Sequence, residues 1–188
     1  CHQARYSRAE YRETAPLFNK LGYNCLAIDQ RSGAECNGVK NETAKRAAEK
    51  NLPASYTDAE RDIVAAIDYL NKKTEKPVIL LGSSYSATLA LKIASEDKRI
   101  RAVLAFSPGE YCLNTFRLKP LLKNILCPVF VTSSKDEAVE LNKLVDEENF
   151  IVFNPTGEGI HGSRALWNST DNNKEYWDAV KKFLASVK

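Results

Sequence analysis

The chain has 188 residues and a mass of 21.0 kDa, enough for one domain with its own core, here read as spanning residues 1–188. With 44% hydrophobic and 27% charged residues, it excludes a disordered chain, a collagenous rod and a disulfide scaffold. The net charge of +3 comes from interleaved acids and bases, which argues against a nucleic-acid partner, and no apolar run reaches the length of a membrane span.

In chain order, Ser7-Arg8-Ala9-Glu10 has the form of a capping box and predicts a helix running toward Leu21, with Pro16 kinking or restarting it and Gly22 ending it. Residues 24–29 read as a strand. Residues 31–56 are polar and aperiodic, with one helical stretch near 42–50. Asp58 is placed to cap a helix whose Ile63, Ala66, Ile67 and Leu70 share one face. Strands follow at 78–81, 100–106, 128–132 and 150–153. Helices fall at 85–96 and 137–145, and a last one begins near Lys174 with Trp177, Val180, Leu184 and Val187 on one stripe. Short apolar strands alternating with helices predict an α/β fold, a mostly parallel sheet covered on both faces. In such sheets ligands bind beyond the carboxyl ends of the strands, so the residues just after each strand carry the functional reading.

Three of those junctions hold chemistry. Gly82-Ser83-Ser84-Tyr85-Ser86 sits between a strand and a helix, a tight turn that lifts a serine oxygen above the sheet at a helix N-terminus. A phosphate-binding turn would also suit those residues. Asp136 follows the strand at 128–132, where it could orient an imidazole or cap the following helix. His161 lies in a glycine-rich loop after the strand at 150–153; it could serve as a general base or simply face water. Taken together, Ser84, Asp136 and His161 follow three different strands in the order expected of a hydrolase triad.

These marks make the chain resemble the α/β-hydrolases, in particular the small dienelactone-hydrolase-like branch. Gly159-Ile160-His161-Gly162, Ser134-Lys135-Asp136 and Asp29-Gln30-Arg31-Ser32-Gly33 add to the resemblance, and His2-Gln3-Ala4-Arg5 is similar to the family's oxyanion turn, with Gln3 where glycine is usual. The resemblance implies Ser84 as nucleophile, His161 as base and Asp136 as its partner. It implies an oxyanion hole from the backbone N–H groups of Tyr85 and Ala4, and no cofactor or metal. It also implies that the sheet's first strands precede Cys1, which would end one of them. Dienelactone hydrolases use a cysteine nucleophile, so their lactone specificity does not carry over to a serine. Arg5, Tyr111 and Arg164 are candidate substrate contacts. Residues 108–126 could supply a small flap lined by Tyr111, Leu113, Phe116 and Leu118, but no large lid. The expected function is a serine hydrolase acting on a small ester, thioester or amide. The alternatives are a binding protein that keeps the fold without turnover, or a nucleotide-binding protein. Five cysteines without paired spacing favour a reducing compartment, such as the cytoplasm.

Overall fold

A computed structural model describes residues 1–146 and 148–187. The chain opens with a 3-10 turn at Arg8–Tyr11 and helix α1 (Thr14–Lys20), followed by a two-stranded hairpin, β1 (Glu35–Cys36) and β2 (Val39–Lys40). Then come α2 (Glu42–Glu49), α3 (Glu60–Thr74), β3 (Val78–Ser83), α4 (Tyr85–Glu96) and β4 (Ile100–Phe106). The last third holds α5 (Lys119–Leu122), β5 (Val129–Thr132), α6 (Ala138–Leu144), β6 (Phe150–Phe153) and α7 (Asn173–Ser186). Strands β3 to β6 form one parallel sheet in sequential order.

Side-chain alternation builds two cores on this sheet. Leu80, Val103, Ala105, Val129 and Val131 meet Ile63, Ile67, Leu89, Leu91 and Leu141 on one face. Leu104, Phe106 and Phe130 meet Phe18, Tyr176, Val180 and Phe183 on the other. Thus α3, α4 and α6 cover one face and α1 and α7 cover the other. With both faces buried, β4 and β5 read as continuous apolar runs.

Two stretches depart in part from their expected form. Residues 24–28 join no strand: Leu26 is 44% exposed, and no backbone hydrogen bond ties this stretch to the sheet among the described residues. This stretch and the outer edge of β3 line a groove of about 620 Å³. Residues 31–56 are also more ordered than their composition suggests. Asn37 (φ 49°) and Gly38 (φ 75°) turn β1 into β2, the two positive φ angles that a type I′ hairpin requires.

Cys1 continues the sheet beyond β3. Its N–H donates to the Leu81 carbonyl at 2.8 Å and its carbonyl accepts from the Ser83 N–H at 3.1 Å. That is the pattern of a parallel ladder, and it lays residues 2–5 across the carboxyl end of β3. No helix among the described residues is long and apolar enough to cross a membrane.

Candidate active site

The turn after β3 is set by its small residues. Ser84 has φ 59° and ψ −128°, a backbone conformation rarely held by a non-glycine residue, and starts α4 directly. A Cβ on Gly82 would overlap the Ser86 carbonyl oxygen and lie 2.6 Å from the Ala87 backbone, so the strand–helix approach requires glycine there. Ser86, in the place of the motif's second glycine, has its own task. Its hydroxyl donates to the His2 carbonyl at 2.6 Å and accepts from the Gln30 side chain at 2.7 Å, tying the elbow to the residue 2–5 turn.

That turn is clamped on both sides. Its Tyr6 N–H donates to the Gln3 carbonyl, and Arg5 at the third position has φ 65°, the angle a type II turn needs there. His2 is fully buried, and its Nε2 accepts the Gln30 N–H at 2.9 Å, so its Nδ1 carries the proton and donates to the Gln3 carbonyl at 2.8 Å. Burial lowers the His2 pKa to about 4, keeping the ring neutral for this task. The Gln3 N–H donates to Glu10. The backbone N–H groups of Ala4 and Tyr85, by contrast, find no acceptor among the described residues.

His161 meets a carboxylate, but not that of Asp136. Its Nδ1 is hydrogen-bonded to Glu137 Oε1. The backbone turn after β5 decides this. The Lys135 N–H is held by the Glu158 carbonyl, and the Glu137 N–H folds back onto the Ser134 carbonyl. That brings residue 137 over the site and leaves Asp136 exposed to solvent. The second oxygen of Glu137 accepts from Ser107 Oγ at 2.7 Å and from Ser134 Oγ at 2.8 Å. Burial opposes ionisation of Glu137, but these hydrogen bonds and the one from His161 outweigh it and lower the pKa to about 2. A folded pKa below the ordinary 4.5 contributes stability that is present above pH 4.5 and lost as the pH falls toward 2. The gap in Tm between the wild-type protein and Glu137→Gln should therefore narrow across that interval; a gap independent of pH would contradict the assignment.

Ser107, which the sequence reading passed over, holds the loop that carries His161. It follows β4 with φ 52°, and its hydroxyl accepts the Gly162 N–H at 2.9 Å while donating to Glu137. The Ser163 N–H donates to Ser83 Oγ at 2.9 Å, which anchors the loop one residue from Ser84. A Cβ on Gly162 (φ 74°) would lie 2.5 Å from Ser83 Oγ, so this close approach also requires glycine. Ser84 is 7% exposed, and the Tyr111 hydroxyl donates to the Ser107 carbonyl at 3.4 Å. No hydrogen bond joins Ser84 to His161 among the described residues; without substrate, such contacts are often long.

The remaining candidates separate. Tyr111 is 41% exposed on the connection after β4, while Arg5 projects from the oxyanion-like turn into solvent. Arg164 is half-buried, its guanidinium 5.9 Å from the Tyr6 ring centre. Leu118, expected to line a flap, is fully buried in the core. Asp29 and Arg31 are structural: Asp29 accepts the Arg8 and Glu42 N–H groups, and Arg31 pairs with Asp62 at 2.8 Å. Burial pushes the Cys112 thiol up to about 11, which removes it as a rival nucleophile. All five cysteines are free.

No family model matches this chain, and no curated protein matches it either. Solved structures do. A Pyrococcus furiosus esterase superposes with a TM-score of 0.68 at 18% identity, over 96% of this chain and 77% of that one. The acylaminoacyl peptidase of Pyrococcus horikoshii gives 0.58 at 12% identity, over 84% of this chain and 31% of that one. A Klebsiella pneumoniae subsp. pneumoniae protein assigned as a dienelactone hydrolase gives 0.53 at 14% identity, over 76% and 66%. The fold is that of the α/β-hydrolases.

Proposed function

We propose that the protein is a serine hydrolase of small acyl substrates: esters, thioesters or amides. In this reading Ser84 Oγ attacks the carbonyl carbon and His161 Nε2 takes its proton. The Nδ1–H is held by Glu137, which fixes the tautomer and stabilises the imidazolium as it forms. The N–H groups of Tyr85 and Ala4 receive the developing oxyanion, helped by the N-terminus of α4. His161 then returns the proton to the leaving group, and water attacks the acyl-enzyme by the same route. The observation that carries this reading is the Glu137–His161 pair, whose loop is tethered to Ser83, next to a serine held at a strained strand–helix junction.

Tyr111 and Arg5 frame the approach in this proposal, and Arg5 suits a substrate with a carboxylate near the scissile bond. Cys112 and Leu118 of the connection after β4 are drawn into the core, which leaves Tyr111 and Leu113 as a short lip rather than a lid. Acetyl and butyryl p-nitrophenyl esters should therefore be turned over at least about tenfold faster than the palmitoyl ester. Equal or better turnover of the long chain would contradict the small-substrate reading. Absence of turnover on every ester would favour a binding protein on this fold.

A further inference from the structure

Glu10 lies where the three segments of the proposed site meet. The sequence gives it the role of a capping-box acid, but Ser7 caps the 3-10 turn alone, through a 3.3 Å bond from the Ala9 N–H. The Glu10 carboxyl group turns inward and is fully buried. One oxygen accepts the Gln3 N–H at 2.7 Å. The other accepts the Ser163 hydroxyl at 2.6 Å. The Glu10 backbone carbonyl accepts the Trp167 indole N–H at 2.8 Å, which closes the far end of the loop that carries His161 onto the same residue.

These bonds fix directions as well as distances. The Gln3 carbonyl and the Ala4 N–H belong to one planar peptide unit and point opposite ways. Glu10 holds the N–H of Gln3, while His2 and Tyr6 hold its carbonyl. With both neighbouring peptides held, the Ala4 N–H has one orientation. Through Ser163, the same carboxyl group sets the loop one residue beyond Gly162, and thereby the backbone that presents His161. A buried carboxyl group is destabilising unless it is well hydrogen-bonded, and an apolar residue would fill this junction without that penalty.

We propose that Glu10 is a positioning residue of the hydrolase reaction, holding the oxyanion turn and the histidine loop in register with Ser84. The proposal rests on the function inferred above. It is tested with Glu10→Ala, Glu10→Gln and Ser163→Ala. The readouts are kcat per fluorophosphonate-labelled site on p-nitrophenyl acetate, KM and Tm. Counting labelled sites removes the effect of misfolded protein. Glu10→Ala should lower kcat per site by about 30-fold or more, with KM changed less than about threefold, because the lost interaction serves the transition state. Glu10→Gln keeps an oxygen for the Gln3 N–H and an NH₂ for Ser163 Oγ, and should recover to within about fivefold of the wild type. Ser163→Ala cuts only the loop side and should fall between the two; it carries the test if Glu10→Ala does not fold. Per-site kcat within about threefold of wild type in both Glu10→Ala and Ser163→Ala, whatever happens to Tm, would overturn the proposal. If Glu10→Ala does not fold, an unchanged Ser163→Ala is sufficient to do so. An active, labelled wild-type protein with indifferent variants removes the role of Glu10 alone, whereas a wild-type protein neither labelled nor active removes the hydrolase reading and this inference with it.

Discussion

Glu137→Gln is expected to lower kcat by about 10³–10⁴-fold, and Asp136→Asn to leave it within about twofold. The contrast follows from the turn after β5, which delivers residue 137 to His161 and leaves residue 136 in water. Glutamine fills the same space but carries no charge to stabilise the imidazolium. Its NH₂ can also face Nδ1, favouring the tautomer with the proton on Nε2, where a base must accept one. At about 1.4 kcal/mol per tenfold, the loss amounts to roughly 4–5.5 kcal/mol of transition-state stabilisation. KM should change little, since Glu137 does not touch the substrate in this mechanism. Steady-state kinetics on one activated ester compares all three proteins. A large loss in Asp136→Asn with an active Glu137→Gln would reverse the assignment.

Ser84→Ala is expected to remove about 10⁵–10⁶-fold of kcat, the largest effect of any single change in the protein. Nothing near it can substitute. The Ser83 hydroxyl is occupied by the Ser163 N–H, Ser86 Oγ is spent on His2 and Gln30, and the Cys112 thiol stays protonated. What remains is binding and the two N–H groups proposed to receive the oxyanion, which would act on water instead of a serine. The fold should survive, because alanine removes one hydroxyl at a position that is 7% exposed. Residual turnover above about one per cent, with an unchanged Tm, would show that Ser84 is not the nucleophile.

The parts of this account that were legible in the sequence are those where local pattern and tertiary demand agree. The buried strands β4 and β5 announced themselves as apolar runs because both faces of the sheet are covered there. The tight strand–helix turn was legible because the backbone approach beside Ser84 requires glycine at 82, and the Ser86 hydroxyl binds the neighbouring turn. Where two neighbouring residues had the right chemistry, sequence could not choose: Asp136 and Glu137 are both acids, and a single hydrogen-bonded turn separates them. Glu10 was misread because a capping box and an inward carboxyl group share one pattern, and only the approach of Gln3 and Ser163 distinguishes them. Ser107 left no signal, since its role depends on a positive φ and on a loop 55 residues away. The strand pattern at 24–28 is real but unpartnered, and pairing is a property of the neighbour rather than of the segment.

The most direct measurement is covalent labelling with a fluorophosphonate probe, read by mass spectrometry of the digested protein. Such a probe phosphonylates a serine only where a neighbouring base and an oxyanion site activate it. The account predicts one adduct, on Ser84, formed in the wild-type protein and in Asp136→Asn, strongly slowed in Glu137→Gln and absent in Ser84→Ala. An adduct on another residue, or no adduct on folded wild-type protein, would contradict it.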